Sequence, residues 1–300
     1  MLNRCPLCGS DNLKGLYNVK GYHIVKCKDC NLVFVNNDIE KETLLNLYEE
    51  TYFHNSAWCL LNKDKYIGYD DYIGDRENIR DKFNRIIKLI KNYANTGPLL
   101  DVGCGPGFFL ELAREKGFNP VKGIDISSYA VRYCNDKLKL DVQRGEIEDF
   151  IFDPETFNII TMFDVIEHLH TPKRVLVEIN RILKIDGLLV IITPDIDTFT
   201  AKLVKNKWEE IQRVPEHLVF FSKRTITTLL KQTGFEIVYT KYVSKKLSLR
   251  SFVSHILVNL GISKKLDLYR IPNLPIHIPI NPFYKLLVIA RKTGNLNKAS

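Results

Sequence analysis

Few folds accommodate the string Leu99-Leu100-Asp101-Val102-Gly103-Cys104-Gly105-Pro106-Gly107-Phe108. An apolar run gives way there to a helical pattern, with glycine at three alternate positions. Glycine lets the backbone turn tightly and come close to a ligand, and the start of the following helix offers free N–H groups. The register is acid-x-G-x-G-x-G. A dinucleotide fingerprint would need glycine at position 108, which is Phe108. Short apolar runs alternate with helical segments on either side of this loop. Strands are predicted at Leu99–Val102, Val121–Asp125, Phe157–Met162 and Leu188–Thr193, and later at Phe235–Tyr242 and Tyr284–Ala290. Helices are predicted at Arg76–Tyr93, Phe108–Lys116, Ser128–Leu138 and Lys173–Leu183. That alternation implies an α/β fold, a mostly parallel sheet with helices on both faces.

The first 36 residues read differently. Cys5, Cys8, Cys27 and Cys30 form C-x2-C-x18-C-x2-C, the spacing of a four-thiolate zinc site. Two residues between cysteines let both sulfurs reach one ion, and four thiolates leave no open position, so the expected role is structural Zn2+. Three units follow: a zinc ribbon over 1–36, an aromatic-rich linker or lid over 37–75, and an α/β domain over 76–300. The domain carries lid insertions near 195–222 and 244–282, stretches too long for simple connections.

Seven cysteines in a chain whose first residues lack an apolar signal core point to thiols or metal ligands and a cytoplasmic setting. No apolar run is long enough to span a bilayer. The net charge of +8 is uneven. Residues 241–300 hold eleven Lys and Arg against the single acid Asp267, a net of +10, which leaves the first 240 at −2. Such a basic end suits a phosphate-bearing substrate or an anionic membrane surface, or serves as a solvated face. Leu247 to Leu260 has helical apolar spacing between lysine pairs and reads as a lid or a membrane contact.

Three further motifs follow the glycine loop. Asp125-Ile126 ends the next strand, where a carboxylate can accept hydrogen bonds from both hydroxyls of a ribose. Glu146-Ile147 follows a short strand near 141–143. The fourth is Phe157 through Phe163-Asp164-Val165-Ile166-Glu167-His168-Leu169. In this order the motifs resemble those of class I S-adenosylmethionine (SAM) dependent methyltransferases. The resemblance implies a Rossmann-like seven-stranded sheet and SAM as cofactor. Asp101, Gly103, Cys104, Gly105 and Gly107 would serve its methionyl end. Asp125 and Ile126 would serve the ribose, Glu146 and Ile147 the adenine, with Phe163 and Asp164 completing the site. With its cysteine knuckles, Gly68-Tyr69 and Pro215-Glu216-His217-Leu218, the chain is similar to zinc-ribbon members acting on sugars and other small molecules. It is too short for the extra domain of the C-methylating ones, which favours oxygen as the methylated atom.

Methyl transfer from a sulfonium requires an oriented acceptor and removal of its proton. Histidine is the natural base. His217, beside Glu216 in the first insertion, is the first candidate, with Glu216 orienting or charging it. His168 is the second, as base or orienting group. Each could equally cap or pack. Tyr66, Tyr69 and Tyr72 could fold over cofactor or acceptor, or pack the linker; Cys59, Cys104 and Cys134 read as packing residues. Two other functions compete: an RNA methyltransferase gripping nucleic acid with ribbon and basic end, and a non-catalytic SAM-binding scaffold. Residues 163–166 lack the Asn/Asp-Pro-Pro-aromatic string of amino-methylating nucleic-acid enzymes.

Overall fold

The structure is a computed structural model describing residues 3–40, 43, 44, 48, 50–53, 72–74, 76–243, 245–248, 277–280 and 284–294. Trp58, Cys59, Tyr66, Gly68, Tyr69 and most of the 247–260 segment lie outside these residues, as does most of the 244–282 insertion.

The N-terminal unit consists of β1 (Leu13–Val19), β2 (Tyr22–Cys27) and β3 (Val33–Val35), followed by the single turn α1 (Glu50–Phe53). Helix α2 (Arg76–Ile90) leads into the domain: Phe83, Ile86, Ile87 and Ile90 recur at helical spacing and all are buried. Then come β4 (Leu99–Val102), α3 (Phe108–Glu115), β5 (Val121–Asp125), α4 (Ser128–Arg132), β6 (Asp141–Arg144), β7 (Phe157–Phe163), α5 (Pro172–Ile182) and β8 (Leu183–Pro194). The last part holds α6 (Phe199–Val204), α7 (Glu209–Gln212), β9 (Val219–Phe220), α8 (Lys223–Gln232), β10 (Phe235–Tyr242), β11 (Lys245–Ser248), β12 (His277–Ile280) and β13 (Lys285–Lys292).

Seven strands form one sheet in the order β10-β13-β8-β7-β4-β5-β6. Strands β4 to β8 pair in parallel, and β13 runs antiparallel to both neighbours. The expected architecture is therefore present. Its central strand Leu99–Val102 is buried throughout, as a parallel strand covered on both faces must be. One face packs against α2 and α3 through Phe83, Ile87, Phe109 and Leu112. The other packs against α5 and α8 through Leu176, Ile179, Ile226 and Leu229. The order of strand addition reverses between β4 and β7, so the crevice beyond their C-terminal ends is where such a sheet takes a ligand.

Two elements depart from expectation. The predicted helix 128–138 is α-helical only to Arg132 and closes in a wider π turn over Tyr133–Lys137. Helix α8 was not anticipated. The first insertion, expected as a lid, contributes β9, which extends the ribbon into a sheet of order β1-β2-β3-β9. Val33 pairs with Phe220 and Phe34 with Val219. Among the described residues no helix is long and apolar enough to cross a membrane.

Candidate active site

The glycine loop leaves β4 with Gly103, Gly105 and Gly107 all at positive φ (69°, 52° and 78°). Two of them are held by close packing. A Cβ on Gly103 would lie 2.4 Å from Val165 Cγ2, and one on Gly107 2.7 Å from Cys134 Sγ. A Cβ on Gly105 would meet, among the described residues, only the Phe53 ring, at an ordinary contact distance of 3.8 Å. The loop thus abuts the segment after β7 on one side and offers bare backbone on the other, as a cofactor approaching main-chain amides requires. Cys104 is buried.

Asp125 holds this loop. Its Oδ2 accepts the Gly105 N–H (2.7 Å) and its Oδ1 the Ser127 N–H (2.8 Å). Each oxygen keeps a second lone pair for a ribose hydroxyl. Burial pushes the carboxyl upward against these two bonds. Asp101 lies beneath the loop, where Oδ1 accepts from Thr161 Oγ1 at 2.6 Å. Burial first, then the neighbouring Asp125 charge, push it up to about 7, against the Thr161 bond. The folded chain therefore holds this proton more tightly than the unfolded one, whose carboxyl titrates near about 3.9. The associated stabilisation is complete below that value and is lost as pH rises through about 7. Asp101→Asn should flatten this loss, which is on the order of a few kcal/mol. Melts of both proteins from pH 4 to 8 should converge at low pH and separate at high pH; parallel curves would show that Asp101 is ionised in the fold.

Ile126 is half-buried, and its carbonyl accepts from Arg144 Nε at 3.1 Å. Glu146 caps the turn Ile147–Asp149, with its N–H donating to Asp149 Oδ2 at 2.8 Å, and Ile147 is buried. The Phe163 ring faces the core, stacked on Phe83 (5.6 Å) and edge-on to Phe109 (4.9 Å), so only its backbone is free to meet a cofactor. Tyr72 stacks on Phe108 at 5.6 Å, and Phe53 stacks on Tyr129 at 5.8 Å.

After β7 the chain turns sharply at Asp164, whose φ is +57°. Asp164 Oδ1 accepts from Lys285 Nζ at 2.7 Å. Burial works to raise this carboxyl, but Lys285 and Lys82 outweigh it and leave it below its usual value. The next turn presents Glu167, which burial and then Asp164 push up to about 8. His168 follows, its ring 4.7 Å from that of His217. The fold thus brings the two candidate histidines together across 49 residues.

Glu216 does not attend His217 as expected. Its Oε1 accepts from Arg213 (2.6 Å) and from the Tyr52 hydroxyl (2.5 Å). The carboxylate beside His217 is instead Glu210, with Oε2 3.5 Å from Nδ1. The Glu216 carbonyl lies 2.9 Å from His168 Nδ1, and Tyr48 Oη lies 3.0 Å away. A carbonyl only accepts, so Nδ1 carries the hydrogen and Nε2 keeps its lone pair. Burial lowers both imidazoles: His168 below its usual value, with Glu216 opposing, and His217 well below, with His168 and Arg213 adding to the shift. Both are neutral near pH 7 and able to take a proton. Glu210, Lys285, Tyr48 and Arg213 were invisible in the sequence, since α7 with its C-cap Arg213, the strand start at Lys285 and the segment around Tyr48 reach the site from distant parts of the chain.

Among the described residues, two groups could hold a metal. Cys5, Cys8, Cys27 and Cys30 bring their sulfurs within 4.8 Å of one another, with Cys5–Cys30 at 3.4 Å and Cys8–Cys27 at 3.6 Å. These separations fit zinc, whose tetrahedral thiolates stand about 3.8 Å apart. Glu167, His168 and His217 form the second group.

A model of the family described as a methyltransferase domain matches residues 74–240, more than half of the chain. The chain is a class I SAM-dependent methyltransferase. Among related proteins, the methyltransferase is 28% identical over 187 residues to an uncharacterized protein of Methanocaldococcus jannaschii, covering 61% of this chain and 86% of that one. It is 39% identical over 104 residues to a mitochondrial ubiquinone biosynthesis O-methyltransferase of Candida albicans, covering 32% of each. In fold it resembles a SAM-dependent methyltransferase from Archaeoglobus fulgidus with a TM-score of 0.52 at 20% identity, over 78% of this chain and all of that one. The SAM-binding fold read from the motifs is thereby established.

Proposed function

We propose that this methyltransferase transfers the methyl group to an oxygen of a small-molecule or glycan-precursor acceptor, with an imidazole of the His168–His217 pair taking the proton. The observation that carries this reading is the pair itself, two neutral imidazoles with ring centres 4.7 Å apart, His217 buried and His168 partly so. SAM, held by the loop and Asp125, supplies a methyl on a sulfur that leaves without charge. What the protein must add is orientation and a proton acceptor. His217 is the first candidate and His168 the orienting partner, its ring fixed by the Glu216 carbonyl. As the acceptor oxygen bonds to the methyl carbon, the C–S bond breaks, sulfur keeps the electron pair, and the proton passes to nitrogen. The similarity to a ubiquinone biosynthesis O-methyltransferase supports oxygen as the nucleophile. A zinc ion on the four cysteines would be structural. The basic end of the chain suits an acceptor bearing phosphate or held at an anionic membrane surface.

The test is transfer of labelled methyl from SAM into fractionated extract, followed by His217→Ala on the acceptor found. Turnover should fall by roughly a hundredfold or more with SAM affinity unchanged. Near-normal turnover would remove His217 from proton transfer.

A further inference from the structure

We infer that Glu167, His168 and His217 form a divalent-cation site whose open position receives the acceptor oxygen. The site stands on geometry; only its part in catalysis rests on the methyl-transfer reading above. The three side chains each bring a donor atom within 4.8 Å of the others. Backbone bonding fixes their spacing, because the Leu218 N–H donates to the Glu167 carbonyl at 2.9 Å and ties the residue after His217 to Glu167.

The site also has unmet demand. Among the described residues, Glu167 Oε1 and His217 Nδ1 are buried and make no hydrogen bond, with Glu210 Oε2 3.5 Å from the latter, and their residues are 1% and 3% exposed. Leaving such atoms unpaired is costly, and an ion would satisfy both. Their supporting bonds are those of metal ligands. Glu167 Oε2 accepts from Thr193 Oγ1 at 2.9 Å, and His168 Nδ1 is committed to the Glu216 carbonyl, which leaves Nε2 to coordinate.

Carboxylates surround the cluster: Arg213 pairs with Glu216, and Lys285 lies 2.7 Å from Asp164 and 3.9 Å from Glu210, acidic surroundings that suit a cation. Two imidazoles and one carboxylate suit zinc, manganese or iron, and three protein ligands leave a coordination position open. The four-cysteine site, by contrast, is closed and soft. An acceptor hydroxyl bound at the open position would be acidified by the ion and release its proton to water before its oxygen takes the methyl. With the ion seated, the histidines act on that proton through the metal instead of accepting it directly.

Manganese separates the two sites because it prefers oxygen and nitrogen to thiolate. Full-length protein given a single equivalent of zinc, which the four thiolates take first, then titrated with Mn2+ and followed by electron paramagnetic resonance, should bind one equivalent. Glu167→Gln keeps side-chain shape, and with His217→Ala it should weaken this binding by tenfold or more; Thr193→Val should weaken it about tenfold through Glu167. No manganese bound, or equal binding by Glu167→Gln, overturns the cation site. If such a protein still transfers methyl and loses turnover in His217→Ala, the direct imidazole base stands without it.

Discussion

Gly103→Ala is expected to reduce SAM affinity by about a hundredfold or more, measured by calorimetry on the purified protein. Two effects combine at this position. At φ +69° a side chain costs roughly 1–2 kcal/mol. Its Cβ would also stand 2.4 Å from Val165 Cγ2, too close to persist. Something must move, and either the loop shifts or the segment from Val165 to His168 does. Both displace groups assigned here to cofactor or acceptor. Gly117→Ala is the matched control, since its φ is +90° but nothing lies within 4 Å. It should lose about 1 kcal/mol of stability and keep SAM affinity. Equal behaviour of the two variants would show that the loop is not the cofactor cradle.

Loss of the zinc proposed on the four cysteines should have the second large effect. Cys5 and Cys27 are buried, and structural zinc contributes on the order of 10 kcal/mol to folding of such small units. The consequence extends beyond the ribbon. The Val35 N–H donates to the Leu218 carbonyl at 2.8 Å, and the Leu218 N–H donates to the Glu167 carbonyl at 2.9 Å. Loosening the hairpin that carries the four cysteines therefore loosens His217 and Glu167 directly, while the glycine loop keeps its own bond to Asp125. Cys27→Ser should contain about one zinc fewer per chain by elemental analysis. Its turnover should fall tenfold or more, with SAM affinity much less affected. Unchanged turnover in a zinc-free variant would assign the ribbon a duty unrelated to the site.

The sheet was legible in the sequence because its strands are short, apolar and separated by amphipathic helices. The glycine loop was legible because few backbones demand glycine at three alternate positions. Helix α8 was not, and the reason is local. Thr225, Ile226, Thr227 and Thr228 are β-branched and read as poor helix formers. In the structure Ser222 and Thr225 close a capping box, and Thr227 and Thr228 bond back to the carbonyls of Lys223 and Arg224 at 2.7 and 3.1 Å. The histidines could be named from their motifs, but their partners could not. Lys285 reaches Asp164 across 121 residues and Tyr52 reaches Glu216 across 164. Spacing rules carry no information at that range. Glu216 was misassigned because sequence adjacency to His217 suggested contact, whereas Arg213, one helical turn earlier, claims its carboxylate.

The pairing of β3 with β9 bears on anyone trimming this protein to a minimal catalytic unit. A cut after residue 36, where composition changes, would strip Phe220 and Val219 of their strand partners. It would also bare Trp208, Ile211 and Val214, which bury themselves against Val19, Ile24, Val33 and Val35. The shortened protein would present an unpaired edge beside a greasy surface, the combination that invites self-association. Its failure in solution would then say nothing about whether the ribbon takes part in methyl transfer.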